Sequence, residues 1–184
     1  MIMRSHMSKN TKGFTLVETL IAVAILMVAI AGPLTIANQS LTAALTSRNA
    51  MIATYLAQDG METLRNIKDN EIVNDTYGGW LNALNYNSCS KDSNASVMCT
   101  TPDKLNGSIV PQVCSSCQLY VDTGKYNYTY DSSYTRTPFK RYYYLTHVNA
   151  GSPSEAVVTV VVSWSDGSVP NQIQLQELMT NAPR

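Results

Sequence analysis

Charge is sparse in this sequence. Only 14% of its 184 residues are charged, and from Thr19 to Ser47 there is no Asp, Glu, Lys or Arg. A stretch so bare of charge is neither a solvated loop nor a surface helix with a polar face. Histidine is scarce as well: His6 and His147 are the two in the chain, too few for a histidine-based catalytic cluster. No glycine-rich phosphate loop and no nucleophile-elbow serine occur, so nucleotide-dependent chemistry and triad hydrolysis have no starting point. The reading is a protein without catalytic residues, cofactor or metal. A basic excess is missing too. The formal charge is zero, with 13 basic and 13 acidic residues, and Arg4, Lys9 and Lys12 all precede residue 13. The rest of the chain is therefore slightly acidic, which argues against the counterion-displacing surface of a nucleic-acid binder.

What is present is a long apolar run. Leu20 to Ala31 reads Leu-Ile-Ala-Val-Ala-Ile-Leu-Met-Val-Ala-Ile-Ala, without a polar side-chain atom. As a helix, residues 14–36 would be roughly 35 Å long, against about 30 Å for a bilayer core, so the segment can span. Glu18 sits close to its start. A carboxylate in hydrocarbon costs at least a few kcal/mol and needs a partner. Either Glu18 reaches water at headgroup depth, or it meets a cation, and a cut just before Phe14 would create one as a new N-terminal amine. The basic residues upstream would stay in the cytoplasm and place residues beyond about 40 outside.

Past Ile36, apolar residues recur at helical spacing: Leu41, Leu45, Ile52, Leu56, Leu64 and Ile67, with Ala44, Met51, Tyr55 and Gly60 on the same side. Asn38, Ser47, Asp59, Glu62 and Arg65 form the other face. One helix from Phe14 to about Lys68 is predicted, with its second half amphipathic. Gly32-Pro33 should kink or locally melt it. Gly60 reads as a small residue where helix presses on sheet.

Residues 69–117 read as a connecting region, with turn candidates at Tyr77-Gly78-Gly79-Trp80 and Leu105-Asn106-Gly107-Ser108. A loop of that length without structure is improbable inside a compact domain. Covalent ties would account for it, and Cys89, Cys99, Cys114 and Cys117 all fall there. Two disulfides are expected, with three connectivities open. Zinc is disfavoured because only Cys114-Ser-Ser-Cys117 has a ligand-like spacing, and a thioredoxin-like setting for a redox pair is absent. Strands are expected at 118–122, 125–130, 139–148, 156–164 and about 173–179, joined as an antiparallel meander. Tyrosine fills such strands routinely, so the eleven tyrosines call for no dedicated aromatic function. The fold class is α+β, a long N-terminal helix packed on an antiparallel sheet.

Gly13-Phe14-Thr15-Leu16-Val17-Glu18, behind a basic leader and ahead of the apolar helix, resembles the N-terminal signature of type IV prepilins and of type II secretion pseudopilins. The resemblance implies a leader of residues 1–13, cut after Gly13 by a prepilin peptidase, and an N-methylated Phe14. It implies that Glu18 neutralises the N-terminal amine of a neighbouring subunit, and that the helix unwinds near Pro33 in a filament. Residues 14–36 would be the membrane and filament-core segment, and 37–184 the head, with its sheet over 118–180. Met1, Met3 and Met7 are alternative starts upstream of the cut. Tyr55-Leu56-Ala57-Gln58-Asp59-Gly60-Met61-Glu62 and the valine-rich strand ending at Trp164 are most similar to minor pilins of the V/I type. The implied partners are other pilin subunits, the peptidase and the pilus assembly machinery. The implied location is the cytoplasmic membrane, then an extracellular pilus. A type II secretion or competence-pilus subunit, or a displayed head that binds cells or DNA, would carry the same signature.

Overall fold

The computed structural model describes residues 13–73, 79–103, 110–148 and 155–181. The leader before Gly13, Tyr77-Gly78 and the turn candidate at 105–108 lie outside the described residues. The chain divides into two compact units, Met1–Leu45 and Thr46–Arg184.

The first unit is helical. Helix α1 (Leu16–Val73, 58 residues) begins in it and has Pro33 in its interior. Residues 13–48 are all exposed. A helix is the one way such an apolar stretch can satisfy its own backbone groups without water. The melting expected at Gly32-Pro33 is not seen: the helix runs through the pair without interruption. Proline removes one rung of the ladder, and the turns on either side keep theirs. Thr35 Oγ1 reinforces the site by donating to the Ala31 carbonyl at 2.9 Å.

The second unit holds the core. The later part of α1 buries Ala53, Leu56, Ala57, Gly60, Met61 and Leu64, a stripe at spacings of three and four. The stripe is rotated from the predicted one. Met51 and Tyr55, expected on the packed side, are 62% and 65% exposed, because the small Ala53 and Ala57 bring the helix close on their own side. Gly60 does lie where helix meets sheet. A Cβ there would stand 3.3 Å from Val160 Cγ1, Arg141 Cδ and Thr101 Cγ2, tighter than ordinary van der Waals contact. Helix α1 also continues to Val73, past the predicted end near Lys68.

Five strands form the sheet: β1 (Gln118–Asp122), β2 (Asn127–Thr129), β3 (Thr135–His147), β4 (Glu155–Asp166) and β5 (Val169–Thr180). All neighbours are antiparallel, in the order β2-β1-β3-β4-β5. The predicted meander holds for β3, β4 and β5, and fails at β2. That strand folds back on the outer edge of β1, leaving β1 to pair with β3. With three residues, β2 has few ladder bonds of its own. Asp103 holds it from outside by accepting from the Thr129 hydroxyl and from the Tyr130 N–H.

The connecting region is not structureless. Helices α2 (Gly79–Ala83) and α3 (Tyr86–Cys89) lie in it, and Trp80, Leu81 and Leu84 are buried. Its strand-like parts take the length of β3 that β1 leaves open. Cys99 exchanges backbone hydrogen bonds with Tyr143 at 3.0 and 2.9 Å, and the Lys91 N–H donates to the Leu145 carbonyl at 2.9 Å. Disulfides Cys89–Cys99 and Cys114–Cys117 close the two local loops.

Two arginines join α1 to the sheet. Buried Arg141 of β3 donates from Nη1 to the Leu56 carbonyl at 3.1 Å and to Asp59 Oδ2 at 2.7 Å. Arg65 pairs with Glu177 of β5 at 2.6 Å and with Glu62 at 2.5 Å.

Candidate functional site

Gly13, Phe14 and Thr15 precede the first helical turn and are exposed. A Cβ added at Gly13 would meet nothing within 4 Å. The Gly13-Phe14 peptide bond is therefore non-helical and, among the described residues, uncrowded. Phe14 itself is 79% exposed, an apolar side chain with no cover of its own.

One residue later the helix is capped. The Glu18 N–H donates to Thr15 Oγ1 at 3.3 Å, and the Thr19 N–H reaches the Thr15 carbonyl at 3.2 Å. Thr15-Leu-Val-Glu18 is the pattern of a capping box, in which the threonine satisfies an orphan donor of the first turn and a glutamate stands three residues on. Thr15 is thus a working residue that the sequence reading passed over, although its spacing from Glu18 was in view. Thr19 adds a second local tie, donating from its hydroxyl to the Leu16 carbonyl at 2.8 Å.

Glu18 is the one acidic residue of the first turn of α1. The partial positive charge at a helix N-terminus favours a carboxylate there, by about 0.3–1 kcal/mol at an exposed site. Yet Glu18 pairs with no cation among the described residues. The cap orients the residue and leaves its charge unneutralised. Beyond it, Leu20, Ile21, Val23, Ile25, Leu26, Met27, Val28 and Ile30 are each more than half exposed, so the apolar surface has no partner among the described residues. By length and composition α1 is apolar enough to cross a membrane.

The four cysteines are all spent on disulfides, and no free thiol remains. Among the described residues no group of histidine, cysteine and carboxylate side chains is placed to hold a metal ion.

Residues 8–32 match the family described as the prokaryotic N-terminal methylation motif. No curated protein and no solved structure matches the chain. The matched span takes in Gly13, Phe14 and Glu18 and ends at Gly32, so it covers the Gly13-Phe14 junction, the cap and the first part of the uncharged helix. With an antiparallel, disulfide-tied sheet behind that helix, this chain bears the prepilin-type methylation signature on an α+β, pilin-like layout.

Proposed function

We infer that the protein is a structural subunit of a type IV pilus or a related filament, of the minor-pilin kind. In this reading a prepilin peptidase cuts after Gly13, Phe14 becomes the N-methylated first residue, and the subunit waits in the membrane on the first part of α1. Extraction into a filament then packs the apolar helices of many subunits together. The observation that carries the reading is the methylation motif over residues 8–32, which runs into a helix whose residues 16–48 are all exposed among the described residues.

Glu18 supplies the chemistry of registration. An unpaired carboxylate and an unpaired amine are each expensive in lipid, and pairing the two across subunits removes both penalties only when neighbours are aligned. Capping offers a different role for the same side chain, and the two are separable. Glutamine serves in a capping box as glutamate does, but it carries no charge. Processing of Glu18→Ala and Glu18→Gln is expected to be normal. Both variants should be reduced by about tenfold or more in sheared filaments, since the lost pair is worth at least a few kcal/mol. Peptide mass spectrometry of the membrane and sheared fractions reads both steps, through methylated Phe14 and through the amount recovered. Normal incorporation of Glu18→Gln would leave capping as the role of this residue and end the pairing account. A chain that retains Lys12-Gly13 and never leaves the membrane would end the filament reading itself.

A further inference from the structure

The second unit carries a cavity of its own. Tyr55 and Asp59 of α1, Tyr126 and Tyr128 of the β1–β2 hairpin, and Arg141 of β3 line a space of about 520 Å³, a volume typical of small-molecule sites, roughly 300–1,000 Å³.

Arg141 is 3% exposed. Its Nε donates to the Tyr130 hydroxyl at 3.3 Å and its Nη1 to Leu56 and Asp59, while Nη2 has no acceptor among the described residues. The side-chain atoms sealed from solvent without a partner, among the described residues, are Trp80 Nε1 and Thr159 Oγ1. Arg141 Nη2 is not one of them, so it keeps an opening, and the opening that Arg141 lines is this cavity. A guanidinium so deeply placed, with one nitrogen open to the cavity, presents a fixed donor to a ligand there.

Tyr126 is the second unusual feature. Its φ is 56°, a left-handed conformation that costs a bulky residue energy and that glycine or asparagine takes more cheaply. The hairpin has a glycine, but it stands at 124, and the left-handed position falls on Tyr126. Packing does not repay the strain, because Tyr126 is 81% exposed. Strain of this kind at a cavity mouth is an indication that the ring is used there.

We propose that this cavity binds the end of a neutral saccharide. The charged residues in its lining are Arg141, Asp59 and Asp103, one cation against two carboxylates, so a phosphate or an acidic sugar is repelled. Asp103 is already engaged by Thr129 and Tyr130. Asp59 gives Oδ2 to Arg141, and its side chain, 67% exposed, still offers Oδ1. Arg141 and Asp59 together present a donor and an acceptor side by side, which suits adjacent hydroxyls. The tyrosines supply apolar ring surface for the sugar's C–H face. An amine ligand would satisfy the carboxylates and leave Arg141 Nη2 unmet.

The test uses the full chain in an amine-oxide detergent, since glycosidic detergents would compete, titrated with neutral mono- and disaccharides by calorimetry. Saturable binding of at least one is expected. Tyr126→Gly should weaken it by about tenfold or more while the thermal midpoint stays level or rises, because glycine relieves the backbone. Arg141→Lys keeps a charge for Asp59, removes the spare nitrogen and should weaken binding likewise; should it fail to fold, Tyr126→Gly still decides. No binding by any neutral sugar, binding indifferent to Tyr126→Gly, or tighter binding of an amide-capped peptide than of every sugar would each overturn the proposal. The last result would assign the cavity to a protein partner.

Discussion

Asp92 gathers three donors on one oxygen: the Tyr86 hydroxyl at 2.8 Å, the Ser90 hydroxyl at 3.0 Å and the His147 N–H at 2.9 Å. Burial works to raise its pKa, and the hydrogen bonds outweigh that, leaving it lowered from the ordinary value of 3.8. The folded chain thus holds this proton less tightly than the unfolded chain does. The stabilisation is complete above 3.8 and is lost as pH falls through the folded value below it. Urea midpoints against pH should decline less steeply for Asp92→Asn than for the parent in that acid range, with matching slopes between about pH 5 and 7; parallel acid declines would mean that Asp92 is not responsible. Residues of this sort mark the limit of reading the sequence. The methylation motif over residues 8–32 was legible because it lies in local order, and the cap at Thr15 was equally local and was missed. Arg141 and Tyr126 were not legible, because nothing in their neighbours along the chain says that β3 and the β1–β2 hairpin will converge on Asp59.

Elements show the same division. Helix α1 was legible through most of its length because its period is local, while its continuation through Pro33 was not, since the loss of one hydrogen bond had to be weighed against intact turns on both sides. In the observed order β1, not β2, shares one edge of β3 with the connecting region, a pairing between residues far apart in sequence. The disulfides secure this region unequally. Cys89 and Cys99 are wholly buried, ten residues apart, and Cys99 is hydrogen-bonded to the middle of β3. Cys114 and Cys117 are three apart. Chain entropy assigns about 2.5–3 kcal/mol to the first link and about 2 to the second. Removing the first also leaves a void in the core. The paired Cys89→Ala/Cys99→Ala variant should therefore lose clearly more stability in urea than Cys114→Ala/Cys117→Ala. Equal losses would show that the buried bridge does not anchor the region to β3.

At the scale of the molecule, the two units make opposite demands on their surroundings. Every buried apolar side chain among the described residues lies between Ala53 and Met179, inside the unit Thr46–Arg184. The preceding unit contributes none. A core whose members all belong to one unit owes its stability to that unit, apart from fraying at a new terminus. The nearest tie to such a terminus is Asn49, whose amide donates to Asp166 at 2.6 Å and would remain. A chain beginning at Thr46 should therefore fold in water without detergent, with its disulfides formed. Its thermal midpoint should lie within about 3 °C of the full chain, the shift that corresponds to about 1 kcal/mol at this size. Circular dichroism through a thermal melt measures it. A cooperative transition at the same temperature would mean that residues before Thr46 add nothing to the stability of the fold, whereas a broad or absent transition would mean that α1 must be whole before the sheet can pack against it.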